Sequence, residues 1–300
     1  MANVFASVLT YVAPSSNYRG ESEANRTVLQ KITRAGKEFT VISPESMRNA
    51  LREIIAIKGL PCNRKRLHDE DQLAVEFQDY PDAEKYADDF FFGYMVAQTK
   101  DTKEMKKRNR PAKRDSVLRM NLAMALTPYR FDATFHQSPL NGGDSPWKNA
   151  GTSALLHKEV SCTAYQFPFA LSLNDCLQHS NGARWTSILL ESIGELSNVA
   201  GGHARSYFEM APKSIVVRVT TSLVAGFNTY GFDDQGFFPE LSRISANDLP
   251  GNEFILGGEL VRNLTDEERQ RLLAEGVQLF ENPQAALRSL ADQHLTAGVK

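Results

Sequence analysis

The sequence predicts an α+β protein, a βαββαβ-like core interrupted by long insertions. Three observations carry that class. A strand runs directly into an amphipathic helix over Val41 to Ile55, VISPESMRNALREII. A second helix, Trp185 to Leu196, precedes a strong strand, Ser214 to Val219. Between them lies an irregular stretch, Tyr129 to Trp147, rich in Phe, His, Pro, Gly and Ser and too long for a tight turn.

The elements follow in order. Asn3 to Ala13 alternates toward apolar residues (Val4, Phe5, Val8, Leu9, Val12) and reads as a strand; its context lacks the basic segment and cleavage site of a signal peptide. Asn17 to Arg26 is polar and reads as a loop. Phe39 to Ile42 is the second strand. Ser43 is an N-cap, Pro44 suits the first helical position and Glu45 complements the helix N-terminus. Met47, Ala50, Leu51, Ile54 and Ile55 then form one stripe at helical spacing, with Arg48 and Arg52 one turn apart on its flank. Phe90, Phe91 and Phe92 before Gly93 read as buried strand or turn. Lys100 to Arg119 reads as a flexible basic insertion leading into Val117 to Thr127, which returns to the sheet. Ser153 to Leu173 carries two strand-like runs. Thr265 and Glu268 form a capping box, and Pro283 opens a last helix, Gln284 to His294.

Composition is that of a soluble globular chain, 42% hydrophobic and 23% charged, with a net charge of −2. The charge is unevenly spread. Lys100 to Arg119 holds nine basic residues against three acids, and Asp69 to Asp89 holds nine acids against one lysine. Such separation permits a basic groove on a nearly neutral protein and suits a subunit that stacks on copies of itself. Cys62, Cys162 and Cys176 are odd in number and widely spaced, which points to a reducing cytoplasm and away from disulfides or zinc. No apolar run is long enough for a membrane span. There is no GxSxG, Walker loop, dinucleotide fingerprint or HExxH, and no helix-turn-helix with a basic recognition helix. No cofactor or metal is expected.

The candidate binding residues are of one chemical kind. Ser43, the first-turn amides, Arg48 and Arg52 can hold a phosphate at a helix N-terminus. Asn17, Arg19 and Arg26 sit in a polar segment leaving the first strand, suited to a phosphate backbone. Arg64, Lys65 and Arg66 add a short basic run.

The stretches Asn17–Tyr18–Arg19, SPESMRNALRE, DDFFFGYM, RMNLAMALTPY, HKEVSCTAYQFPF and GGHARSYFEMAPKSIVVRV run in order from about residue 3 to 225. In this order and spacing the chain resembles the backbone subunit of type I CRISPR surveillance complexes (Cascade), the Cas-seven family in its DevR-like, type I-B-like branch. The resemblance implies a single ferredoxin-like, RNA-recognition-type palm with a finger insertion over about 60–116, a projecting thumb hairpin over about 131–159 and a mostly helical extension over about 230–300. It implies copies stacked head to tail along guide crRNA, which then pairs with target DNA, with no cleavage by the backbone itself.

Carried over by position, Asn17, with Arg19 and Arg26 beside it, would contact RNA. Ser43, Arg48 and Arg52 would carry the guide backbone. His157 would lie at the thumb base, and Gly202, His203 and Arg205 in a loop near the guide. Phe131, Phe135 and Leu140 are the implied wedges between bases. Lys106, Lys107, Arg108, Arg110, Lys113 and Arg114 fall in the finger, facing guide or target backbone. The implied partners are crRNA, target DNA, further copies, and the Cas-five, Cas-six, large and small subunits. Transposition proteins join them in systems that guide insertion instead of degradation.

Two alternatives remain at this point. Backbone subunits of type III complexes cleave target RNA with a loop aspartate, but here no Asp precedes Asp69, and the first-domain loop offers only Glu21, Glu23 and Glu38. A stand-alone nucleic-acid-binding regulator is the other.

Overall fold

The computed structural model describes residues 2–16, 18–23, 26–66, 75–137, 155–199 and 207–295, and the side chains of 18–23, 66, 75, 155 and 156 lie outside that description. A nine-stranded mixed sheet organises the molecule. Its strands are β1 (Asn3–Thr10), β2 (Lys31–Arg34), β3 (Lys37–Ile42), β4 (Leu118–Met120), β5 (Ala123–Ala125), β6 (Tyr165–Ser172), β7 (Pro212–Thr220), β8 (Phe254–Gly258) and β9 (Gln278–Phe280). They lie in the order β9-β8-β7-β1-β6-β5-β3-β2, with β4 also paired to β6. Neighbours are antiparallel except β8 and β9.

The centre of the sheet is buried on both faces, which is why β1 is apolar almost throughout. Val4, Ala6 and Val8 face a helical layer made by α1 (Pro44–Ile57), α4 (Gly182–Gly194) and α5 (Pro283–Leu295), where Met47, Leu51, Ile55, Leu189, Leu287 and Leu290 are fully enclosed. Leu9, with Phe5 partly buried beside it, faces a second layer built from Phe227, Phe232, Phe238 and Leu272. The stretch after about residue 230 therefore does more than add helices. It supplies β8 and β9 to the sheet and covers its second face.

Local chemistry sets the ends of these elements. Ala35 and Gly36 both have positive φ (50° and 72°), the geometry of a two-residue hairpin whose twist matches its strands, and they join β2 to β3 in register. Ser43 caps α1 by accepting from the Ser46 amide at 3.2 Å. Thr265 and Glu268 form the expected capping box.

Two expectations are corrected. Phe90 to Phe92 are helical, in α2 (Ala87–Phe92), because Phe90 and Phe91 pack down into the core on a short helix ended by Gly93. The basic insertion holds an ordered helix, α3 (Thr99–Lys107), anchored by buried Met105, and a two-residue pairing of Lys113–Arg114 with Tyr94–Met95. Gly93 has φ +64°, and an added Cβ would lie 2.4 Å from the Arg114 carbonyl oxygen. Gly93→Ala is expected to destabilise the fold by about 1–3 kcal/mol from backbone strain, and by more from the clash, as read in a urea melt.

Candidate nucleic-acid interface

The polar segment after β1 is not a loop. Tyr18–Glu23 and Arg26–Leu29 are strands, and they join the hairpin formed by Ala133–Gln137 and Leu155–Glu159 in a four-stranded wing. Arg26 lies opposite His157 in the parallel pairing, and His157 lies opposite Phe135 within the hairpin. The side chains follow that register. The Phe135 and His157 rings meet edge to face at 5.2 Å, and the Arg26 guanidinium lies 5.1 Å from the Phe131 ring. Phe131 and Phe135 are 62% and 57% exposed, far more than aromatic side chains in a core. Arg19 lies on the outer strand of this wing, its side chain outside the description.

The wing is tied to the sheet by a polar seam. Tyr165 shares hydrogen bonds with Ser15 (2.7 Å) and Thr40 (3.0 Å), and Thr40 donates to Ser161 at 3.2 Å. Beside it the buried Glu159 carboxylate accepts from the Leu29 amide (2.9 Å), the Lys31 ammonium (2.7 Å) and the Tyr129 hydroxyl. Burial alone would raise its pKa. The bonds from Lys31, Tyr129 and Leu29 outweigh burial and hold the carboxyl below the usual range, so Glu159 is ionised at neutral pH.

At α1, the two arginines part ways. Arg48 is half-buried, and its Nε has no hydrogen-bond partner among the described residues. Its pKa is lowered chiefly by burial; Glu45 opposes that and the Arg64 guanidinium adds to it. A desolvated guanidinium near a second one is receptive to an anion. Pro44 offers no N–H, and the Ser46 amide is taken by Ser43, which leaves the Glu45 amide as the donor this helix end presents.

Arg52 is corrected from flank to core. It is 6% exposed, and its Nε donates to Asp88 at 3.1 Å while a terminal nitrogen donates to Asn49 at 2.6 Å. Burial and Arg64 bring its pKa down to about 10, against the opposing pull of Asp88. Asp88 also accepts from the amides of Asn63 (2.7 Å) and Arg64 (3.0 Å), and Asp89 accepts from the Asn63 side chain (2.8 Å) and the Asp82 amide (3.0 Å). Arg64 itself donates to the Gly93 carbonyl at 2.7 Å. The acid pair of DDFFFGYM is thus a buried lock between α1 and the insertion.

The basic insertion divides in the same way. Arg110 pairs with Asp82 at 2.5 Å, Arg114 donates to the Phe90 carbonyl at 3.0 Å, and Lys107 and Arg108 pair with Glu104 at 3.3 and 3.4 Å. Lys106 and Lys113 are exposed. Asn17, Leu140, Gly202, His203 and Arg205 lie outside the described residues. Sequence reasoning missed Lys31, Tyr129 and Glu159; each stands in a stretch where a charged or aromatic residue reads as ordinary surface. Among the described residues no three His, Cys, Asp or Glu side chains gather to hold a metal, and no helix is long and apolar enough to cross a membrane.

These features define a class: an α+β protein with one large mixed sheet, an ordered basic insertion and a four-stranded wing that carries exposed aromatic rings beside an arginine. Chains of two solved CRISPR RNA-guided surveillance complexes share its fold. One, in a pre-nicking state, has a TM-score of 0.63 and 11% identity over 97% of this chain and all of that one. The other has a TM-score of 0.59 and 11% identity over 97% and 99%. No protein-family model matches. A curated relative from Myxococcus xanthus (strain DK1622), CRISPR-associated protein Cas7/Cst2/DevR, is 30% identical over 301 residues, 96% of each chain. The chain belongs to the Cas7/Cst2/DevR family of CRISPR-associated proteins.

Proposed function

We propose that this protein is a non-catalytic backbone subunit of a type I surveillance complex. Copies hold guide crRNA by its sugars and phosphates, stack along it with the other subunits, and present it to target DNA. The observation that carries this reading is the wing, which gathers Arg26, Phe131, Phe135 and His157, four residues spread over 132 positions of sequence, onto one exposed surface. A subunit that accepts any guide has no use for base-edge contacts; cations and apolar wedges are the groups it needs. The order β7-β1-β6-β5, with α1 between the first and second of these strands in sequence and α4 between the third and fourth, supports a ferredoxin-like palm. Arg48 supplies a cation at the palm helix, and Lys106 and Lys113 supply exposed cations on the insertion.

The test is a salt titration of the purified full chain with two guide-length RNAs of unrelated sequence. Affinities should agree between the RNAs and fall together with salt, with a log–log slope of about −0.7 per phosphate engaged. Absence of binding at low salt, or strong preference for one sequence, overturns the reading. Regular-interval fragments from complementary RNA with magnesium overturn its non-catalytic part.

A further inference from the structure

We propose that Glu159 is the positioning residue of the wing: its carboxylate sets the angle at which the hairpin leaves the sheet. The role in RNA handling rests on the function proposed above; the angle does not. The geometry is a joint of several chain segments. Glu159 ends the return arm of the hairpin. Tyr129, whose hydroxyl donates to it, lies in the segment leading to the outgoing arm (Ala133–Gln137), and the Tyr129 amide donates to the Glu38 carbonyl on β3 at 2.7 Å. Lys31, at 2.7 Å from the carboxylate, begins β2, the edge strand of the main sheet, and its ammonium also lies 4.2 Å from the Tyr129 ring. The Leu29 amide closes the site from the strand that carries Arg26. The Glu159 carbonyl accepts from the Ser16 hydroxyl at 2.8 Å, which ties in the exit of β1.

Nothing apolar does this work for the outgoing arm. From Thr134 to Gln137 it is exposed throughout, so no core packing fixes its direction. A carboxylate with only 1% of its side chain exposed, bonded to donors from three directions, is rigid because moving any partner strands a buried charge. The same joint holds Arg26 and His157 in register, so it places the cation and the aromatic rings as one unit.

The experiment uses the full chain with spin labels at His136→Cys on the wing and Arg288→Cys on α5, in a Cys162→Ser background because Cys162 is exposed. Glu159→Gln keeps shape and removes the charge; Tyr129→Phe removes a single hydroxyl and carries the measurement should the first variant not fold. The parent should show one narrow distance distribution, and each folded variant one at least about twofold broader, with guide-RNA retention about tenfold weaker. An unchanged width in the folded variants overturns the positioning role, whatever happens to RNA. Broadening in the variants alongside a parent that binds no RNA supports the joint and removes the function proposed for the wing.

Discussion

Asp88→Ala is expected to cost about 3–5 kcal/mol of stability, enough to unfold much of the population of a marginally stable domain. The aspartate is fully buried and holds three donors at once: the Arg52 guanidinium and the amides of Asn63 and Arg64. Alanine leaves Arg52 charged, 6% exposed and facing nothing that neutralises it, and orphans two amides as well. Replacing both ends of the pair, Arg52→Met with Asp88→Leu, should recover part of the loss, because no unpaired charge remains. Recovery will be incomplete, because leucine cannot accept from the two backbone amides. Urea melts of the parent, Asp88→Ala, Arg52→Met, Asp88→Leu and the double variant measure both effects; an Asp88→Ala chain as stable as the parent would show that the lock carries no load.

The second large effect concerns binding and leaves the fold alone. Under the proposed function, Phe135→Ala should weaken guide-RNA binding by about 1–3 kcal/mol, the worth of one base stacked on or parted by an aromatic ring, and so by roughly five- to 150-fold. Phe131→Ala should act in the same range and also free the Arg26 guanidinium from its ring. Both rings are more than half exposed, so stability should move by no more than about 0.5 kcal/mol. Binding isotherms at one fixed salt concentration, paired with thermal melts, separate the two quantities. Unchanged affinity in the double variant would remove the wing from the RNA interface.

The two predictions fall on motifs that differ in kind. The phenylalanines of DDFFFGYM read as buried strand or turn and Arg52 and Arg64 as phosphate contacts, yet Asp88, Asp89, Arg52 and Arg64 form one internal network. The hairpin residues read as a protrusion, and the exposed rings of Phe131 and Phe135 are there. Within the insertion the arginines Arg110 and Arg114 bond to the protein itself, while Lys106 and Lys113 face solvent, a division no local count of charge contains.

What the sequence determined by itself is whatever physics acts over a few residues. The cap at Ser43, the stripe from Met47 to Ile55, the capping box at Thr265 and the strand of Ser214 to Val219 all stand where local hydrogen bonding and periodicity put them. Tertiary structure alone decided which charges are buried and which strands are neighbours. Arg52 meets an aspartate 36 positions away, Lys31 meets a glutamate 128 positions away, and β8 and β9 join a sheet begun at residue 3. Such partners are chosen by packing across closed loops, and a closed loop leaves no period or spacing for the eye to follow along the chain.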